Sequence, residues 1–147
     1  YEIARLPFLW ENNCYCVTST FTMNPDKMSI KIHNACLRGG PDGKLVSDTY
    51  EAKAFDTKHN KFRVRYNWLL KNDLYVVNLG GDYEYTVLAT PDRCKLWILS
   101  REPTFDSEEL NRLLDSLLEL DFELDALIYT YQGAQCPKRE PDLWLSS

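Results

Sequence analysis

Histidine is scarce: two in 147 residues, His33 and His59, neither in a metal or catalytic spacing. No H-E-x-x-H, no G-x-S-x-G elbow and no glycine-rich phosphate loop occurs, which removes the usual zincin, hydrolase and nucleotide-binding signatures. No apolar run approaches the roughly 18 residues of a membrane-spanning helix. Basic residues are outnumbered, 17 Lys and Arg against 22 Asp and Glu, and they form no long cluster. A nucleic-acid partner is therefore not expected. Repeats, linkers and low-complexity segments are absent too. One domain is expected over 1–147, a length able to bury about 70% of its unfolded surface. No cofactor and no metal is expected. Carboxylate pairs such as Glu108-Glu109 fit a helix's first turn, where they favour its dipole, and no inward carboxylate pair is foreseen.

What is present is alternation. Tyr83, Tyr85, Val87 and Ala89 lead to a Thr-Pro-Asp-Arg turn, and Lys95, Trp97 and Leu99 then alternate with Leu96 and Ile98. Both arms have the period of two that marks a strand. Upstream, Tyr15, Val17, Ser19, Phe21 and Met23 alternate with Cys14, Cys16 and threonines. Asn24-Pro25-Asp26-Lys27, Gly39-Gly40-Pro41-Asp42-Gly43, Thr57–Asn60 and Gly80-Gly81 read as turns. Strands are expected at Ile30–His33, Leu45–Phe55, Phe62–Tyr66, Leu74–Leu79 and Leu127–Tyr131. One helix stands out. Asp106 with Glu109 makes a capping-box pattern, and Leu110, Leu113, Leu114, Leu117 and Leu118 form an apolar stripe that must dock on a sheet. The fold class is all-β with one C-terminal helix. About eight antiparallel strands at regular spacing suit a sandwich or an up-and-down barrel.

The alternation also sorts faces. Phe21, Phe62, Tyr66 and Trp97 share strand faces with Val17, Ile30, Ile32, Val64 and Leu99. In a closed barrel these faces line the inside, as a filled core or as a cavity wall. His33 falls on a polar face and His59 in a turn.

Five cysteines, Cys14, Cys16, Cys36, Cys94 and Cys136, admit three readings. They are buried hydrophobes, metal ligands or disulfides. Cys-x-Cys with His33 does not supply four ligands at finger-like spacing. By parity Cys16 points away from Phe21, and Cys36 points inward with Ile30 and Ile32 unless a bulge turns it. Cys94 has no evident partner.

Three ordered stretches carry a resemblance. Tyr1-Glu2-Ile3-Ala4-Arg5-Leu6-Pro7 looks like the segment that follows the lipocalin Gly-x-Trp. Gly81-Asp82-Tyr83 stands where lipocalins have Thr-Asp-Tyr. Trp97-Ile98-Leu99-Ser100-Arg101 resembles the strand that ends in their arginine. The Gly-x-Trp itself is not in the chain, as expected if an N-terminal segment is missing, and glycine replaces the motif threonine at Gly81. The Cys-x-Cys, Cys36 and the Pro-Asp-Gly turn are similar to the chloroplast-type lipocalins of plants.

The resemblance implies an eight-stranded antiparallel barrel, a calyx that binds, transports or scavenges a small hydrophobic ligand such as a fatty acid, lysolipid, sterol or carotenoid. Candidate ligand contacts are Val17, Phe21, Ile30, Ile32 and Asn34, then Phe62, Val64, Tyr66 and Tyr85, then Trp97 and Leu99. Asn34, Tyr66 and Tyr85 would orient the ligand. Trp68, Leu69 and Leu70 would form the rim, and Phe8–Asn13 with Trp10 the lid, with membrane lipids as possible partners at the mouth. Arg101 and Asp82 would be structural, Arg101 closing the narrow end by donating to backbone carbonyls. The resemblance favours disulfides, Cys16–Cys136 and Cys14–Cys36, with the swapped pairing also open. The tail 133–147 would pack outside the barrel. Disulfides imply an extracellular, periplasmic or thylakoid-lumen location. Two other readings stand beside the carrier. One is a lipocalin-fold enzyme on a lipid or carotenoid, and the other is an interaction module with a filled barrel.

Overall fold

The computed structural model describes residues 1–25, 28–67 and 69–138. The expected rim residue Trp68 and the end of the tail, 139–147, lie outside them, as do Asp26 and Lys27 of the first turn. The strands are β1 (Glu2–Arg5), β2 (Cys14–Asn24), β3 (Ser29–Arg38), β4 (Lys44–Ala54), β5 (Lys61–Arg65), β6 (Lys71–Leu79), β7 (Tyr85–Ala89), β8 (Leu96–Ser100) and β9 (Ile128–Tyr129). The helix α1 (Ser107–Glu119) joins β8 to β9. The nine strands of the described residues form one antiparallel sheet in the order β2-β3-β4-β5-β6-β7-β8-β1-β9. That is one more than the eight expected: the expected strand at Leu127–Tyr131 is the short β9, and the addition is β1, which pairs with β8 on one side and with β9 on the other.

The sheet curls until its ends meet. The Cys16 N–H on β2 donates to Tyr131 O, just after β9, at 2.9 Å. Gln132 Nε2 donates to Glu2 O (2.9 Å) on β1 and to Val17 O (2.7 Å) on β2. One amide thus bridges the seam. A disulfide from Cys16 to Cys136 ties the returning tail to the same place. Closure matters because a free sheet edge presents unpaired backbone groups.

A bulge in β2 decides where its cysteines point. Tyr15 pairs with Leu37 and Thr18 with Ala35, so three steps on β2 match two on β3. Cys16 is the extra residue, at φ +55°. The bulge inverts the parity above it. Cys14 turns inward beside Val17 and bonds Cys36, while Cys16 faces the tail. The parity argument allowed a bulge to flip Cys36; the residue that flips is Cys14.

The leucine face of α1 docks outside the barrel. Leu113 and Leu117 are buried against Ile3, Leu6, Val87, Leu96 and Ile98. Asp106 caps the helix, its Oδ1 accepting from Glu109 N at 2.9 Å. Leu118 belongs to the predicted stripe but is 53% exposed, at the edge of the contact.

Candidate ligand cavity

The strand ends before β2, between β3 and β4, between β5 and β6, and between β7 and β8 lie together and frame a mouth. Beneath it is a cavity of about 460 Å³. That lies within the usual small-molecule range of about 300–1,000 Å³. Eight of the eleven expected contacts line it: Val17, Phe21, Ile32, Asn34, Val64, Tyr66, Trp97 and Leu99.

Three do not. Ile30 and Phe62 pack with Ala52 and Leu74 lower in the barrel, against the floor rather than in the space. Tyr85 faces the opposite way, its ring 5.2 Å from that of Phe105 under α1. The ladder explains this. Leu88 pairs with Trp97 and both point in, while Val87 pairs with Ile98 and both point out to the helix. Tyr85 has the parity of Val87.

The segment expected as a lid lies at the cavity. A single 3-10 turn, Leu9–Glu11, brings Phe8, Trp10 and Glu11 over the cavity. The Phe8 ring meets the Trp97 ring edge-on at 5.6 Å. Leu70 reaches the cavity rim, whereas Leu69 is exposed and does not line it.

The alternation could not show Glu11, which lies in a loop. Its Oε2 accepts from Trp97 Nε1 at 2.8 Å. Behind it Arg5 is buried, with Nη1 donating to Glu2 Oε1 (3.0 Å) and Nη2 to Glu11 O (2.7 Å). Arg5 Nε lies 3.6 Å from Glu11 Oε2, an ion pair without a hydrogen bond. Thr130 Oγ1 also donates to Glu2 Oε1. Two carboxylates, Glu2 fully buried and Glu11 half-buried, thus share one guanidinium, correcting the expectation of none. Complete burial, with Glu11 nearby, pushes the Glu2 carboxyl up to about 7, against Thr130 and Arg5. Burial also raises Glu11, against the Trp97 bond and Arg5. The ion pair at 3.0 Å alone would hold Glu2 ionised, but one cation cannot neutralise two desolvated acids.

On the inner wall Tyr50, also missed, meets Tyr66 edge-on with centroids 4.7 Å apart. Burial and then Asp48 push the Tyr50 phenol up to about 12. Burial, then Glu11, also raises Tyr66. The hydroxyls stay protonated and able to donate. His33 Nδ1 lies 2.9 Å from Thr49 Oγ1 and His59 is exposed in a turn, and neither faces the cavity. No group of metal-ligating residues occurs among the described residues.

At the far end Arg101 Nε donates to Tyr83 O at 2.7 Å, as expected of the narrow-end arginine, and its N–H donates to Glu84 O. Its side chain is exposed rather than packed over. Asp82 lends the turn its backbone N–H, which donates to Glu84 Oε2.

The model of the lipocalin-like domain matches residues 1–132, and the chain belongs to that family, known for binding small hydrophobic molecules. It is 30% identical over 135 residues to the outer membrane lipoprotein Blc of Citrobacter freundii, covering 90% of this chain and 74% of that protein. It is 26% identical over 148 residues to temperature-induced lipocalin-1 of Arabidopsis thaliana, covering 94% and 77%. Among solved structures, Japanin from Rhipicephalus appendiculatus bound to cholesterol superimposes with a TM-score of 0.63 at 14% identity, covering 92% and 93%. The disulfides Cys14–Cys36 and Cys16–Cys136 indicate an oxidising, non-cytosolic compartment. Cys94 is an exposed free thiol.

Proposed function

We propose that this protein binds and carries one small hydrophobic molecule inside the barrel. The observation that carries the reading is the cavity of about 460 Å³, walled by Val17, Ile32, Val64, Leu74 and Leu99 and covered by the Phe8–Glu11 segment. Burying apolar ligand surface there gains about 25 cal/mol per Å² before association costs. Family membership and the cholesterol-bound Japanin, which shares the fold, support it. The chain acts as one lipocalin unit over 1–147, with Cys136, early in its tail, held to β2 by the bond to Cys16. It works outside the cytosol, and membrane lipids meet it at the mouth, where Leu9, Trp10, Leu69 and Leu70 are exposed. Native mass spectrometry of protein taken from its oxidising host compartment, followed by solvent extraction, tests this. A bound apolar molecule of one class is the expected result. Protein that emerges empty and takes up no lipid on incubation contradicts it.

A further inference from the structure

The inner wall is not uniformly apolar. Ser19 pairs with Asn34 across β2 and β3, and Asn34 with Asp48 across β3 and β4. All three line the cavity, so they make one polar row over three strands. Phe21, Ile32 and Tyr50 form the next row toward the floor, and Cys36 and Val46 the row toward the mouth. The polar row faces a cavity whose lid carries Glu11.

The row is rich in acceptors. Asn34 Oδ1 is buried and has no hydrogen-bond partner among the described residues. A buried carbonyl without a donor carries a desolvation penalty that a suitable partner removes. Asp48, itself exposed toward solvent, and the half-buried Glu11 add two carboxylates to the lining. The cations of the lining are elsewhere: Arg38 donates to Trp10 O at the lid, and Lys71 is exposed at the start of β6.

We infer that the bound molecule carries a hydroxyl, which donates to Asn34 Oδ1, and that the cavity prefers an apolar alcohol to a fatty acid of equal length. This rests on the ligand-binding reading and narrows it. A hydroxyl both donates and accepts, so it also takes a bond from Ser19 or from the Asn34 amide N–H. A carboxylate only accepts, and it meets Asp48 and Glu11 as like charges. An ester is uncharged but has no donor.

The experiment compares tetradecan-1-ol, tetradecanoate and methyl tetradecanoate as competitors of N-phenyl-1-naphthylamine on delipidated protein at neutral pH. The alcohol should displace the probe at least tenfold better than either. Asn34→Leu should bring the alcohol down to the ester. Asp48→Asn should narrow the gap to the acid while leaving the alcohol ahead of the ester. An acid or ester that competes as well as the alcohol overturns the inference, as does an alcohol advantage that survives Asn34→Leu. If the probe binds but ranks the three in that contrary way, only the hydroxyl assignment falls. If neither probe nor competitor binds, the carrier reading falls and takes this inference with it.

Discussion

Trp97 Nε1 donates to Glu11 Oε2 at 2.8 Å, which ties the floor-to-mouth strand β8 to the lid. Residues 86 apart in sequence are thereby fixed across the cavity. Trp97→Phe keeps a ring against Phe8 but leaves the half-buried carboxylate short of one donor. It should lower stability by about 1–3 kcal/mol, read as a reduced urea midpoint at unchanged m-value. A parent-like midpoint would remove the indole from the account of the lid.

Stability should fall as pH rises from 4.5 toward about 7, the window set by Glu2 in the unfolded and folded chain. A carboxyl raised by folding holds its proton more tightly in the folded state. Its contribution is complete below the unfolded value and is lost by the folded one. The slope is at most about 1.4 kcal/mol per pH unit for one group, and Glu11 acts in the same direction. Asp56, Asp73 and Asp92 are lowered instead, by hydrogen bonds from backbone N–H groups, Arg63 and Thr90 respectively, so their contributions are lost only in stronger acid. Glu2→Gln should flatten the profile across the window. Denaturation series at several pH values decide the matter, and a Glu2→Gln profile as steep as the parent's contradicts it.

The two disulfides should differ in worth. Cys16–Cys136 closes a loop of separation 120 and Cys14–Cys36 one of 22. On the chain-entropy model these correspond to about 5 and about 3 kcal/mol. Replacing Cys16 and Cys136 together by Ser should lower the melting temperature more than replacing Cys14 and Cys36. The reverse order would show that the inner bond also holds the bulge and the cavity wall.

Arg101→Ala should lower stability by about 1 kcal/mol or less. It deletes one hydrogen bond, to Tyr83 O, at an exposed side chain. A loss of several kcal/mol would mean that Arg101 is covered in the working protein.

The barrel was legible because period-two strands and a capped leucine helix were both written locally. Parity grouped the residues of one face of β3 and of β8, the resemblance marked that face as inner, and Ile32, Asn34, Trp97 and Leu99 all reach the cavity. Tyr85 went astray because parity within a strand does not say which face is inner. Only its ladder with β8, where Leu88 sits opposite Trp97, fixes that. Ile30 and Phe62 face inward, but depth along a strand depends on how far the barrel tapers, and pattern carries no depth. The Glu2–Arg5–Glu11 cluster was hidden for another reason. Its members come from a strand and a loop, and charge in a short N-terminal stretch reads as solvated surface until closure buries it. The Cys16 bulge was likewise invisible, since a positive φ at a non-glycine residue leaves no mark in the sequence.

The central claim is that the space under the Phe8–Glu11 lid holds the ligand. Titration of delipidated protein with N-phenyl-1-naphthylamine, followed by probe emission, tests it most directly when parent and Val46→Trp are compared, because Val46 lines the cavity and an indole there would fill part of it. The account predicts saturable one-to-one binding to the parent and at least tenfold weaker binding to Val46→Trp at an unchanged melting temperature. Equal binding by the two, or no saturable binding to the parent, would contradict it.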